Sequence, residues 1–83
     1  MKKIIIYSTK VCPYCVRAKM LLKNKGADFT EITITNDALR EEMIQKSDGR
    51  RTVPQIFIGE KHVGGYDDLR ALDVAGKLDQ LLK

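Results

Sequence analysis

Four segments of the chain have the apolar pattern of β-strands. The run Ile4 to Tyr7 is short, continuous and rich in β-branched residues, which predicts a strand buried on both faces of a sheet. Residues 29–35 alternate between apolar and polar side chains, the period of a half-buried strand. Residues 55–58 form another apolar run, and the Gly-Glu turn at 59–60 pairs it with a short antiparallel strand over 61–63.

A first helix is predicted over residues 13–25. Pro13 suits the first position of a helix, where a missing N–H costs nothing, and Gly26 suits the position just past the end. Cys15, Ala18 and Leu22 recur at spacings of three and four. This stripe predicts that Cys15 faces the core.

Two further helices are predicted from caps and apolar stripes. Either residue of Asn36-Asp37 can cap a second helix that runs to about Lys46. Either residue of Asp67-Asp68 can cap a last helix, which Gly76 kinks or splits. The resulting order, β-α-β-α-β-β-α, predicts an α/β fold with a four-stranded mixed sheet flanked by three helices and a right-handed first crossover.

Length and composition indicate a globular protein with one domain over residues 1–83. Hydrophobic residues make up 43% of the chain and charged residues 31%, without a low-complexity tract. The longest apolar run falls far short of the roughly 20 residues of a membrane span, and the chain begins without the apolar segment of a secretory signal. We therefore expect a cytoplasmic protein with no membrane partner. A monomer is expected as well.

The net charge of +4 is spread along the chain. A nucleic-acid reader normally clusters its basic residues and interleaves exposed aromatic side chains, so no nucleic-acid partner is expected. A positive surface instead favours encounters with small anionic ligands.

The two cysteines, Cys12 and Cys15, stand at the junction of the first strand and the first helix. A Cys-x-x-Cys in this place within a βαβ pattern is typical of a thioredoxin-like redox fold. Cys12 takes the cap position, where free N–H groups and the helix dipole favour the thiolate, with Lys10 as a further cation. Cys15 lies a turn later on the inward stripe. Cys12 is therefore predicted to attack a disulfide and Cys15 to resolve it.

Two metal sites compete with this interpretation. A closed zinc site needs four ligands, and His62 is the only further Cys or His in the chain. An iron-sulfur cluster would need thiolates from two chains. We expect no resident metal, with a cluster bridging two chains kept as an alternative secondary role.

Three motifs together resemble the dithiol glutaredoxins. They are Cys12-Pro13-Tyr14-Cys15, Thr52-Val53-Pro54-Gln55 and Gly64-Gly65-Tyr66-Asp67-Asp68, and they stand in the order and approximate spacing of that family. The resemblance covers essentially the whole chain. It implies glutathione as co-substrate, with glutathionylated or disulfide-containing proteins as partners.

The resemblance also implies a place for glutathione. A cis Pro54 would set Thr52 and Val53 beside the nucleophile, with the Val53 backbone meeting the cysteinyl residue of glutathione like an added strand. Gly64 and Gly65 would let the backbone come close. The N–H groups of Tyr66 and Asp67 would hold the γ-glutamyl carboxylate. The Asp67 carboxylate would meet the ammonium group.

At the other end of the tripeptide, Lys10 would face the glycine carboxylate, and Tyr14 would form a wall of the groove. Arg51 and Arg40 are weaker candidates for the same carboxylate.

The predicted activity is reduction of protein-glutathione mixed disulfides and low-molecular-weight disulfides. Two alternatives remain at this point. One is a thioredoxin-reductase-coupled electron donor to another reductase, and the other is a non-catalytic carrier of a metal or an iron-sulfur cluster.

Overall fold

A mixed four-stranded sheet forms the centre of the protein in a computed structural model that describes residues 2–83. Its strands are β1 (Ile4–Ser8), β2 (Thr30–Thr33), β3 (Gln55–Ile58) and β4 (Lys61–Gly64). They lie in the order β2-β1-β3-β4, with β1 parallel to β2 and antiparallel to β3. The predicted mixed sheet is confirmed, although the strand expected over 29–35 is limited to the four residues of β2.

The helices are α1 (Pro13–Asn24), α2 (Asp37–Lys46), α3 (Tyr66–Val74) and α4 (Leu78–Leu82). The described chain thus has four helices instead of three, because the predicted last helix is split into α3 and α4. Gly76, at φ +73°, lies between them, and its N–H donates to the Asp73 carbonyl at 3.0 Å. A glycine in this left-handed conformation is a common end of a helix. Gly76 therefore splits the helix, one of the two outcomes its position indicated.

Each face of the sheet packs against helices. The larger cluster joins β1 and β3 to α1, α3 and α4; its buried residues are Ile4, Ile6, Ala18, Leu22, Ala27, Ile56, Ile58, Leu69, Leu78 and Leu82. The smaller cluster joins Tyr7 of β1 to Met43 and Ile44 of α2. The inward stripe predicted for α1 is confirmed, since Cys15, Ala18 and Leu22 are its buried residues.

One edge of the sheet gathers three connecting segments. Tyr7 near the end of β1 pairs with Gln55 at the start of β3, and Ile56 pairs with Gly64 at the end of β4. The turns before α1, before β3 and before α3 therefore meet at the same edge, which brings the three sequence motifs together. Within residues 2–83, no helix has both the length and the apolar character needed to cross a bilayer.

Candidate active site

Cys12 caps the amino end of α1. Its backbone is extended, at φ −151° and ψ 99°, and its Sγ accepts a hydrogen bond from the Cys15 N–H at 3.1 Å. Pro13 opens the helix, as expected for a residue without an N–H. The predicted cap position of Cys12 is confirmed, and the sulfur lies where free N–H groups and the helix dipole stabilise negative charge.

Cys12 and Cys15 form a disulfide, with their Cα atoms 5.1 Å apart. The two sulfurs have different surroundings, because Cys12 is half-buried whereas Cys15 is 1% exposed. A reagent from solvent can therefore reach Cys12 and not Cys15. This asymmetry assigns the outer and inner positions of a dithiol pair.

The segment before β3 lies beside Cys12. The Val53–Pro54 peptide bond is cis, as the resemblance implied, and the Val53 carbonyl oxygen lies 4.0 Å from the Cys12 Sγ. The Gln55 side-chain amide donates to the Thr52 carbonyl at 3.0 Å and to the Thr52 hydroxyl at 3.2 Å. These bonds hold the segment against the start of β3.

A groove of about 150 Å³ runs between this segment and the start of α3. Seven of the residues predicted to bind glutathione line it: Tyr14, Thr52, Val53, Pro54, Gly65, Tyr66 and Asp67. Two residues that sequence reasoning did not place there, Arg50 and Asp68, complete the wall. Residues far apart in the chain therefore form one surface next to Cys12.

Three predicted cations lie away from this wall. Lys10 and Arg51 are exposed and do not line the groove. Arg40 instead lines a separate depression with residues 34–37. The proposed contact of Lys10 with the glycine carboxylate stays a prediction.

The start of α3 corrects the predicted cap. Gly65 is the N-cap residue, and neither Asp67 nor Asp68 occupies that position. Asp68 lies three residues later, and its Oδ2 accepts the Gly65 N–H at 2.9 Å. An acidic residue three positions after the cap is half of a capping box, the signal that could have identified this arrangement.

Arg50 adds an ion pair to the same carboxylate. Its Nη1 lies 3.2 Å from the Asp68 Oδ2. The Gly65 N–H, together with Arg50, holds the pKa of the Asp68 carboxyl below its usual range. One end of the groove thus has an ionised carboxylate and a guanidinium in contact.

Aromatic rings form the outer part of the groove. The Tyr14 ring is 53% exposed and lies 6.3 Å from the Tyr66 ring, centroid to centroid. The Arg17 guanidinium lies 5.3 Å from the Tyr14 centroid, within cation–π distance. Tyr14 therefore stands as an exposed wall next to the cysteines.

The fold and this site define a class of protein. A Cys-x-x-Cys disulfide at the start of a helix, packed on a mixed sheet beside a cis-proline segment, belongs to the thiol-disulfide oxidoreductases of the thioredoxin-like fold. The Glutaredoxin family model matches residues 4–63, so the chain belongs to the glutaredoxin family. The predicted family, fold class and enzyme class are confirmed.

Known glutaredoxins are similar to this chain over almost all of its length. Glutaredoxin 3 of Escherichia coli K12 is 58% identical over 84 residues, covering 100% of both chains. The solution structure of a glutaredoxin from Brucella melitensis is similar with a TM-score of 0.88 at 57% identity, covering 100% of this chain and 90% of that one. The structure of a buckwheat glutaredoxin-glutathione complex has a TM-score of 0.87 at 36% identity, covering 95% and 74%.

Proposed function

We propose that this thiol-disulfide oxidoreductase uses glutathione and reduces glutathionylated proteins and small disulfides. The single observation that carries the proposal is the half-buried Cys12, at the cap of α1, beside a groove lined by residues of all three motifs. The relative from buckwheat, whose structure is described as a glutathione complex, supports the same co-substrate.

The reaction begins at the Cys12 thiolate. It attacks the glutathione sulfur of a mixed disulfide, so that a Cys12-glutathione bond forms and the target protein leaves as a thiolate that takes up a proton. A second glutathione thiolate then attacks this glutathione sulfur and leaves as glutathione disulfide, which returns Cys12. Neither step needs Cys15.

Cys15 provides a second route. Its thiolate attacks the Cys12 sulfur, releases the bound thiol and forms the Cys12–Cys15 disulfide, which two glutathione molecules reduce. The 5.1 Å between the two Cα atoms suits this bond. Protein disulfides, which leave no glutathione on Cys12, depend on this route.

The groove offers complementary groups for the tripeptide. The Val53 backbone would pair with the cysteinyl residue, and the N–H groups of Tyr66 and Asp67 at the start of α3 would receive the γ-glutamyl carboxylate. Asp67 is the proposed partner of the ammonium group. The Asp68 carboxylate, already bound to Arg50, is a second acceptor at this end.

The proposed setting follows from the chemistry. A dithiol that glutathione recycles suits a reducing compartment, so we place the protein in the cytoplasm. We also propose that residues 1–83 act as a single domain and as a monomer. Its partners are glutathione and proteins that carry accessible disulfides, without nucleic acid.

Single cysteine substitutions test the proposal. Cys12→Ser should abolish reduction of a glutathionylated peptide, whereas Cys15→Ser should retain much of it, because only the first route is needed. Turnover is measured with glutathione and glutathione reductase, and in parallel with thioredoxin reductase as the recycling system. Equal loss in the two variants, or faster turnover with thioredoxin reductase, would contradict the proposed roles.

A further inference from the structure

A hydrogen-bonded chain runs from β4 to the segment beside Cys12. The His62 Nε2 lies 2.8 Å from the Gln55 Oε1, and the Gln55 Nε2 donates to the Thr52 carbonyl at 3.0 Å. Gln55 is 0% exposed, so its amide has little access to alternative partners in water. The mechanism above uses neither Gln55 nor His62.

The direction of each bond in this chain is fixed by chemistry. The Thr52 carbonyl can only accept, so the nitrogen of the Gln55 amide must face Thr52 and its oxygen must face His62. An amide oxygen can only accept as well, and His62 must therefore carry its proton on Nε2. Burial and the positive charge of Arg50 lower the pKa of His62, which favours the neutral ring with this single proton.

Packing holds the His62 ring in place. His62 pairs with Phe57 across the β3–β4 ladder, and the two rings stack with centroids 4.8 Å apart and planes at 28°. Phe57 in turn meets Tyr7 edge to face, at 5.8 Å and 77°. The donor thus comes from a ring with few other orientations, and it selects one orientation of the Gln55 amide.

We propose that His62 and Gln55 are positioning residues, which fix the Thr52–Val53 backbone in the geometry that receives the cysteinyl residue of glutathione. This inference deepens the proposed function and rests on it. Without the His62 donor, the Gln55 amide is held by its bonds to Thr52 alone, and the Val53 carbonyl beside Cys12 is less firmly held. Neither residue touches the sulfur, so the chemistry of Cys12 itself stays unchanged.

The test compares two mixed disulfides of one peptide, one with glutathione and one with 2-mercaptoethanol, as substrates of the reduced protein. Their second-order rate constants are measured by rapid mixing. His62→Phe keeps a stacking ring and loses the donor, whereas His62→Gln restores an amide N–H donor at similar reach. Lys61→Gln, on the same strand and exposed, is the matched control.

His62→Phe should lower the rate constant for the glutathionylated peptide by about three- to tenfold, the range that corresponds to one net hydrogen bond. The rate constant for the 2-mercaptoethanol disulfide should stay within about twofold of its value in the unchanged protein. His62→Gln should recover most of the loss, and Lys61→Gln should show none. Gln55→Met, which removes both bonds of the chain, should behave like His62→Phe.

The outcomes separate this inference from the proposed function. If the unchanged protein does not prefer the glutathionylated peptide, the proposed function fails. If the preference exists and both His62→Phe and Gln55→Met retain it, the positioning role is wrong. An equal fall with both substrates, together with a lower thermal midpoint and no recovery in His62→Gln, would assign the pair to stability alone and overturn the inference. Gln55→Met decides the question if His62→Phe does not fold.

Discussion

At the residue scale, one helical turn separates two cysteines with opposite surroundings. Cys12 receives the Cys15 N–H and borders the groove, while Cys15 is enclosed in the α1 packing. This difference supports the proposed order of attack, because a thiolate must reach the target sulfur before a resolving thiol can act.

Tyr7, in the smaller core cluster, is a buried residue with a polar hydroxyl group. Its hydroxyl donates to the Glu42 carboxylate at 2.7 Å. Burial, with Glu42 as an added negative partner, raises the pKa of Tyr7 to about 12. An unfolded tyrosine titrates near 10, so the folded state resists loss of this proton.

Tyr7→Phe should therefore change the pH dependence of stability. Near pH 7 the variant should lose about 1 kcal/mol of unfolding free energy with its hydrogen bond. The stabilisation from the raised pKa is complete below about pH 10 and is lost as the pH rises toward 12, so the deficit of the variant should shrink in that range. Urea unfolding of the disulfide form, without free thiol, measures both effects.

Tyr14→Phe is the matched control for this experiment, because the Tyr14 ring is exposed. In Tyr14→Phe, the unfolding free energy should fall at alkaline pH by the same amount as in the unchanged protein. If the unfolding free energy of Tyr7→Phe runs parallel to that of the unchanged protein from pH 7 to 11, Tyr7 does not control the loss of stability at alkaline pH.

At the element scale, the starts of α1 and α3 show which features the sequence could predict. Pro13 and the inward stripe of α1 are local signals, and the helix ends one residue before the predicted position. The cap of α3 depends on bonds that close only in three dimensions. Gly65 has no side chain to signal a cap, and its N–H is bound by Asp68, which Arg50 contacts from a remote loop.

The difference between motifs in the sequence and contacts in three dimensions also explains which groove residues could be predicted. Seven of the residues that line the groove were predicted, because the three motifs that contain them resemble those of the dithiol glutaredoxins. Arg50 belongs to no motif, and its partner Asp68 is 18 residues away. Lys10, which the resemblance placed at the glycine carboxylate, does not line the groove, since a sequence motif does not fix the direction of a long exposed side chain.

Gly64 and Gly76 allow a test of the α3 start. Both have positive φ, at +116° and +73°, but only at Gly64 would an added Cβ collide with Asp68 and Arg50. Each change to Ala should cost about 1–2 kcal/mol of stability for the left-handed backbone. Gly64→Ala should in addition displace the Asp68 carboxylate from the Gly65 N–H and raise the KM for a glutathionylated peptide.

Gly76→Ala is the control, since nothing lies within 4 Å of its added Cβ. Thermal unfolding and steady-state kinetics of the two variants are compared under the same conditions. An unchanged KM in a folded Gly64→Ala variant would remove the α3 start from glutathione recognition.

At the scale of the whole molecule, the apolar core and the reactive groups lie at different parts of the sheet. Both faces are covered by helices, so the apolar residues of β1 and β3 are used in packing. The reactive groups at the edge where the three turns meet do not take part in this packing. This edge therefore presents backbone N–H groups, the Arg50–Asp68 pair and the Cys12 sulfur to solvent.

The net charge of +4 acts on every encounter with this edge and leads to a last prediction. Glutathione disulfide is anionic, because glutathione has one more carboxylate than ammonium, so a positive protein attracts it over distances that salt shortens. Raising the ionic strength from about 0.01 to 0.3 M should lower the rate constant for oxidation of the reduced protein by glutathione disulfide about threefold. The uncharged bis(2-hydroxyethyl) disulfide should show almost no dependence, since its approach has no charge to screen. Rapid mixing measures how the rate constant with each reagent depends on ionic strength. An equal dependence for the two reagents would mean that the overall charge does not guide glutathione to Cys12.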